Sequence, residues 1–177
     1  KLESGRVDWD VERLDLAPLL QSTAESVGQL FRDKGTVFTL ELPDDGHPVW
    51  VDVDRDRLKQ VVINLLSNAV KFVPPVIGLI RMTLSHDAGF ARVSVQDNGP
   101  GIAEEYQPII FERFRQGGNT MTDKPQGTGL GLPISREIVE HFGGRLWVES
   151  AGAAHPEQEG SVVTGSTFLF TIPLSDA

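Results

Sequence analysis

The stretch that decides the fold is residues 64–72, which read Asn64-Leu-Leu-Ser-Asn68-Ala-Val-Lys71-Phe72. Apolar residues recur at helical spacing from residue 56 to residue 72, and Pro74-Pro75 ends the pattern. The spacing predicts an amphipathic helix over 56–72, and this is the most secure element of the chain.

Three polar residues share one side of this predicted helix. At about 100° per residue, Asn64, Asn68 and Lys71 fall within about 60° of one another, at the edge of the apolar stripe. Asparagine is unfavourable in the interior of a helix because its side chain competes with the helix for hydrogen bonds to the backbone. Two amide oxygens and an ammonium suit Mg²⁺, which takes few protein oxygens and keeps substrate oxygens. Taken alone, however, the pattern is more typical of a solvated helix edge than of a metal site.

A second motif, Asp97-Asn-Gly-Pro-Gly101, follows the alternating stretch 93–96. Asn-Gly is a strong hairpin signal, so an ordinary turn is the competing interpretation. Residues 102–106 have helical rather than strand character, so no return strand follows. A carboxylate at a strand end can accept a hydrogen bond from the exocyclic amine of a base, and glycines let backbone approach a ligand closely.

A third motif, Gly127-Thr128-Gly129-Leu130-Gly131, opens a predicted helix over 132–142. Backbone N–H groups at a helix start, together with the helix dipole, favour an anion such as a triphosphate. A glycine-rich loop is weak evidence by itself. Its spacing differs from the dinucleotide fingerprint, and the chain lacks a G-x-x-x-x-G-K-[ST] loop, so both of those classes are excluded.

The remaining pattern predicts an α+β fold. We expect a strand near 7–11 and a helix over 16–31, and we expect strands 36–42 and 48–53 to form a hairpin across the turn at 43–46. Further strands are expected near 79–85, 91–96, 145–149 and 166–172. Residues 103–130 have the profile of a long functional loop, a candidate lid, and 151–165 that of a flexible hairpin insertion. The expected architecture is a two-layer sandwich, a sheet with helices on one face.

The composition argues against several classes of function. The 177 residues carry a formal net charge of −9, which argues against a protein held on nucleic acid or anionic lipid by its overall field. The absence of cysteine excludes disulfides and thiolate zinc sites, and the four histidines lie too far apart in sequence to form a ligand cluster. No apolar run reaches the roughly 18 to 20 residues of a membrane span.

Taken together, five motifs in this order resemble the boxes of the catalytic and ATP-binding domain of sensor histidine kinases, in the GHKL superfamily. They are the three above, Phe111-Glu-Arg-Phe114 and Gly165-Ser-Thr-Phe168. The resemblance implies a Bergerat-type fold with a mixed, mostly antiparallel sheet. It also implies that residues 1–6 end a preceding dimerisation helix and that 7–177 form the catalytic domain, with its lid at about 103–130.

The resemblance also assigns roles. Asn64, Lys71 and Arg115 are implied to be catalytic, with Arg115 standing in for an arginine that many members carry at the position of Gln116. Mg²⁺ would be held by Asn68 with Asn64 assisting. The residues implied to bind ATP are Asn68, Phe72, Asp97, Gly99, Gly101, Ile102, Phe114, Gly127, Thr128, Gly129, Leu130, Gly131 and Thr167. Asp97 would bind the adenine amine, Thr167 would reach adenine through water, and Phe111 and Phe114 would anchor the lid.

The implied activity is transfer of the ATP γ-phosphoryl group to a histidine on a dimerisation and phosphotransfer domain of the same parent chain. A response-regulator receiver domain would then accept the group. The implied parent is a cytoplasmic or membrane-anchored homodimer, and this domain would be a cytoplasmic monomer. His47, His86, His141 and His155 lack the acidic-Arg-Thr-Pro surroundings of the family's acceptor, which we therefore expect upstream of Lys1.

Three other functions fit part of the pattern. ATPases of the same superfamily, such as gyrase and heat-shock chaperones, place a glutamate one turn before the Mg²⁺-binding asparagine to activate water. This chain has Asn64 there, and an amide is no general base, so hydrolysis is disfavoured. A non-catalytic ATP-binding regulatory module and an anti-sigma type serine kinase remain as alternatives. Intact nucleotide motifs count against the first, and the long lid counts against the second.

Overall fold

Eleven elements build the part of the chain that the computed structural model describes, residues 8–87, 89–112, 130–151 and 165–175. They are β1 Val11–Asp15, α1 Leu16–Ser26, α2 Gly28–Lys34, β2 Val37–Glu41, β3 Trp50–Asp54, α3 Arg55–Phe72, β4 Leu79–Asp87, β5 Phe90–Asp97, α4 Gly131–His141, β6 Arg145–Ala151 and β7 Gly165–Pro173. Residues 152–164 of the candidate hairpin insertion and most of the candidate lid lie outside these ranges.

The main sheet has five strands in the order β2-β4-β5-β7-β6. Only the β2–β4 pair is parallel, and the other three pairs are antiparallel. Along β5 the side chains alternate, with Ala91, Val93 and Val95 buried and the intervening residues more exposed. Helices α3 and α4 pack on the buried face. The predicted α+β sandwich with a mixed, mostly antiparallel sheet is confirmed.

The predicted hairpin between 36–42 and 48–53 is wrong. Both strands exist, but β2 pairs with β4, whereas β3 pairs with β1 in a separate two-stranded sheet. Alternation in a sequence identifies the buried face of a strand but not its partner. The single helix predicted over 16–31 is two helices, because Val27 lies between them with φ −102° and ψ 6°.

Helix α3 confirms the prediction for 56–72, and both of its ends are fixed by side chains. Asp54 caps the first turn by accepting hydrogen bonds from the backbone N–H groups of Asp56 and Arg57, each at 3.1 Å. At the other end Lys34 Nζ donates to the carbonyl oxygens of Val70 at 2.5 Å and Lys71 at 2.9 Å. The polar edge of α3 is therefore held in place at its last turn.

None of the helices in the described ranges is both long and apolar enough to cross a membrane.

Candidate functional site

The polar edge of α3 faces the start of α4. Asn64 and Asn68 are half-buried, and Lys71 is exposed. The Asn64 side-chain nitrogen, Nδ2, donates to the carbonyl oxygen of Gly131 and to Ser135 Oγ, both at 3.2 Å. Because a carbonyl oxygen only accepts, the nitrogen must face α4. The amide oxygen of Asn64 is then the atom that can serve a cation.

Asp97 ends β5 as a buried carboxylate, 7% exposed. The backbone N–H of Gly99 donates to Asp97 Oδ1 at 2.8 Å, and the backbone N–H of Ser166 donates to the same carboxylate. Burial raises the pKa of Asp97, and it outweighs these two hydrogen bonds, which lower it. A carboxylate held in this way has acceptor capacity left for one more donor.

Two glycines leave no room for a side chain around Asp97. A Cβ on Gly99 would lie 2.8 Å from Asp97 Oδ1 and 3.0 Å from the carbonyl oxygen of Phe72. A Cβ on Gly165 would lie 2.1 Å from the carbonyl oxygen of Asp97, and the φ of Gly165 is +141°. Backbone from α3 and β7 therefore comes directly against the carboxylate loop, which only glycine permits.

Asn98 holds the turn after Asp97 and was missed in the sequence. Its Oδ1 accepts from the backbone N–H of Leu79 at 2.7 Å, and its Nδ2 donates to the carbonyl oxygen of Ile77 at 2.9 Å. The side chain thus continues the β4–β5 pairing by one residue. The sequence shows that Asn98 lies in a turn-forming motif, but its backbone partners, Leu79 and Ile77, depend on the register of β4 against β5.

Thr167 was predicted to reach adenine, and the structure places it on a different face from Asp97. In the β5–β7 register Asp97 pairs with Ser166, and Gln96 pairs with Thr167. Because side chains alternate along a strand, Thr167 lies on the sheet face opposite to Asp97. Ser166, 6% exposed, lies beside the carboxylate instead.

A family comparison is consistent with this geometry. Residues 53–176 match the model of the family described as histidine kinase-, DNA gyrase B-, and HSP90-like ATPase. The chain belongs to this family. The matched region takes in α3, the Asp97 loop, α4 and β7.

Individual relatives show which members of this family the chain is similar to. The chain is 35% identical over 179 residues to the adaptive-response sensory kinase SasA of Synechococcus sp. (strain CC9311), across 98% of this chain and 43% of that protein. A nucleotide-free structure of the catalytic domain of histidine kinase ThkA is 33% identical with a TM-score of 0.73, over 93% of this chain and 96% of that one. ThkA in complex with the response regulator protein TrrA gives 30% identity and a TM-score of 0.71, over 94% of this chain and 42% of that one.

These likenesses identify a catalytic, ATP-binding domain of the sensor histidine kinase type. The chain spans less than half the length of SasA.

Several of the residues predicted to form the site lie outside the part of the chain that the structure describes. Gly127, Thr128, Gly129, Phe114 and Arg115 lie outside the described residues, as does Gln116, and their roles stay predictions. Leu130 immediately precedes α4, and Gly131 is its first residue. Phe111 packs edge-on to Phe168, with ring centroids 6.3 Å apart.

The α3 end also carries an aromatic ring. Phe72 is 45% exposed, and Lys71 Nζ lies 5.3 Å from the centroid of its ring. Across the turn, the backbone N–H of Ile102 donates to Ser150 Oγ at 2.8 Å. Phe72 and Ile102 thus flank the Asp97 loop from α3 and from the segment that follows β5.

The histidines in the described ranges make contacts away from these motifs. His86 Nε2 lies 3.1 Å from Asp45 Oδ2, and His141 stacks on Trp9 with ring centroids 3.8 Å apart. His155 lies outside the described residues. Within the described ranges no three His, Asp or Glu side chains come together as a metal site. A cation bound beside Asn64 and Asn68 would be coordinated by their amide oxygens and by oxygens of a bound ligand.

Proposed function

We propose that this domain binds ATP with Mg²⁺ and passes the γ-phosphoryl group to a histidine on the dimerisation and phosphotransfer domain of its parent chain. A response-regulator receiver domain then accepts the group. The observation that carries the proposal is the buried Asp97 carboxylate, held by the N–H groups of Gly99 and Ser166 in a loop whose Gly99 lies against the carbonyl oxygen of Phe72, the last residue of α3. ATP supplies the phosphoryl group, and the chain's residues orient it.

At the adenine end the hydrogen-bonding and apolar groups fit a nucleotide base. Asp97 accepts a hydrogen bond from the exocyclic amine, because its two backbone donors leave acceptor capacity free. Gly99 and Gly101 keep the pocket open, and Phe72 and Ile102 supply its apolar walls. Ser166 takes the role first given to Thr167, because it lies on the same sheet face as Asp97.

At the phosphate end the residues fit a hard cation and an anion. The amide oxygens of Asn68 and Asn64 are oxygen ligands of the kind Mg²⁺ takes while it retains phosphate oxygens. Lys71 and Arg115 neutralise charge that develops during transfer. Residues 127–131 are assigned to bind the phosphates, because the N–H groups and the dipole at the start of α4 favour an anion there.

Residue 64 supports transfer over hydrolysis. Its side-chain nitrogen is committed to Gly131 and Ser135, and an amide cannot take a proton from water as a general base. Transfer needs mostly positioning and charge neutralisation. SasA is a sensory kinase, and the ThkA structure holds a response regulator, which supports the same partner classes for the parent of this domain. An acceptor histidine outside residues 1–177 is consistent with the contacts of His86 and His141.

The test measures ATP binding by isothermal titration with and without Mg²⁺, and phosphorylation of a supplied acceptor domain. Asn68→Ala is expected to abolish the Mg²⁺-dependent part of binding and the transfer, while the circular dichroism spectrum stays that of the parent. Ser67→Ala, which lies about 100° around α3 from Asn68, is the control for a polar side chain truncated beside the proposed ligand. Unchanged phosphorylation by Asn68→Ala would refute the ligand assignment.

A further inference from the structure

We infer that Ser150, which lies outside the motif residues assigned to the site, is a positioning residue that sets the base specificity of the nucleotide pocket. The inference rests on the proposed function, because it assumes that Asp97 reads the adenine amine. Ser150 lies on β6, two strands from Asp97, and it is placed to hold both backbone segments that shape the carboxylate.

The three residues stand in one row across the sheet. Asp97 on β5 pairs with Ser166 on β7, and Ser166 pairs with Ser150 on β6. Directly paired residues share a face, so all three side chains lie on the side of the sheet that the helices cover. The row lies at the ends of these three strands, where the loop after β5 begins.

The Ser150 hydroxyl joins two backbone segments, the loop that follows β5 and the start of β7. Its Oγ accepts from the backbone N–H of Ile102 at 2.8 Å and donates to the carbonyl oxygen of Gly165 at 2.9 Å. Ser166 Oγ lies 3.2 Å away. One hydroxyl therefore fixes the end of the Asp97 loop and the start of β7.

Gln107 adds a second tie to the same place. Its Nε2 donates to the carbonyl oxygen of Ile102 at 3.0 Å and to that of Ser150 at 3.2 Å. Ile102 is thus held through its N–H by Ser150 and through its carbonyl by Gln107. The side chains of Ser150 and Gln107 fasten this segment to the edge strand β6.

These ties act on the carboxylate through its donors. The N–H groups that orient Asp97 belong to Gly99, in the loop held at Ile102, and to Ser166, which follows the held carbonyl of Gly165. Loosening either segment lets the carboxylate turn away from the base amine. The phosphate end, on α3 and α4, contributes none of these contacts, so the loss falls on base recognition.

The experiment compares ATP and GTP affinity, both with Mg²⁺, for the parent domain, S150A, S150T and Q107A. Loss of one buried hydrogen bond corresponds to about a fivefold change. We expect S150A to weaken ATP about fivefold and GTP less than about twofold, so that the ATP preference shrinks. S150T keeps the hydroxyl and should restore the preference, and Q107A should reduce it in the same direction. Ser94→Ala is the matched control, since this half-buried β5 serine lies on the open face of the sheet.

The outcomes separate the two claims. A parental domain with equal ATP and GTP affinity overturns the adenine role of Asp97 and this inference with it. A parental domain that prefers ATP, combined with an unchanged preference in folded S150A, overturns the role of Ser150 alone. If S150A fails to fold, Q107A decides on the same criterion. Equal weakening of ATP and GTP in S150A would show a merely structural role and would also overturn the inference.

Discussion

Replacing Asn64 by Asp separates two roles for this residue that the sequence alone could not distinguish. The substitution keeps the size of the side chain and supplies a better Mg²⁺ ligand, but it removes the N–H donors. In the structure those donors reach the carbonyl oxygen of Gly131 and Ser135 Oγ at 3.2 Å. A carboxylate there would place a negative oxygen against the carbonyl oxygen of Gly131.

The magnitude follows from the contacts that are lost. Each hydrogen bond contributes about 1 kcal/mol net. The hydroxyl of the fully buried Ser135 can turn to donate to the new carboxylate, so the bond that cannot be replaced is the one to the carbonyl oxygen of Gly131. Repulsion between the carboxylate and the carbonyl oxygen adds to this. We expect N64D to lower the free energy of unfolding of the ligand-free domain by about 2 to 3 kcal/mol.

The assay is urea unfolding followed by circular dichroism, without nucleotide or metal, so that ligand effects do not contribute. Asn68→Asp, the same change one turn further along α3, is the control. Within the described residues the Asn68 side chain makes no hydrogen bond, so the cost of this substitution should stay below about 1 kcal/mol. A parental stability for N64D would refute the donor role and leave metal coordination as the reason for the asparagine.

Three further predictions concern stability. Asp97→Asn should stabilise the ligand-free domain near neutral pH. Folding raises the pKa of the Asp97 carboxyl above its usual value of 3.8, so the protonated form is favoured in the folded state. The stability present at a pH below 3.8 is therefore lost as the pH rises through the raised pKa, whereas asparagine does not ionise. Urea midpoints measured from about pH 4 to pH 8 should therefore fall with pH in the parent more than in the variant. Val76→Gly should stabilise by about 1 kcal/mol in the same assay, because Val76 is 79% exposed and has a φ of +71° that costs a β-branched residue. Lys34→Met should destabilise by about 1 to 2 kcal/mol, since it removes the two hydrogen bonds from Nζ to the last carbonyls of α3, and an unchanged midpoint would show that water replaces them.

The sequence predicted those parts of the fold that depend on local pattern. Helix α3 was found because its apolar stripe runs for five turns and ends at two prolines, and β4 and β5 because they alternate on either side of a short turn. Strand partners between distant segments were not predictable in the same way. The strands β2 and β3 are neighbours in sequence but lie in different sheets, because β2 pairs with β4 and β3 pairs with β1, which are distant in sequence.

The site was predictable where a residue type is chemically necessary and unpredictable where register decides. Asp97 and Gly99 were found because a carboxylate beside glycines has a recognisable use. Ser150 and Ser166 are ordinary strand serines in the sequence, and only the pairing of β5, β7 and β6 places them in a row with Asp97. The same register moves Thr167 to the opposite face.

The contacts explain why each motif is weak alone and the set is strong. The first and third motifs meet where Asn64 donates to Gly131, and the first and second meet where Gly99 comes against the Phe72 carbonyl. The second and last meet where Gly165 leaves no room for a Cβ beside Asp97. In each of these contacts a residue of one motif requires a specific residue of another, so a chance occurrence of one motif would lack its partner. Their order along the chain carries the inference because these contacts form only when the sheet brings all of them to one end.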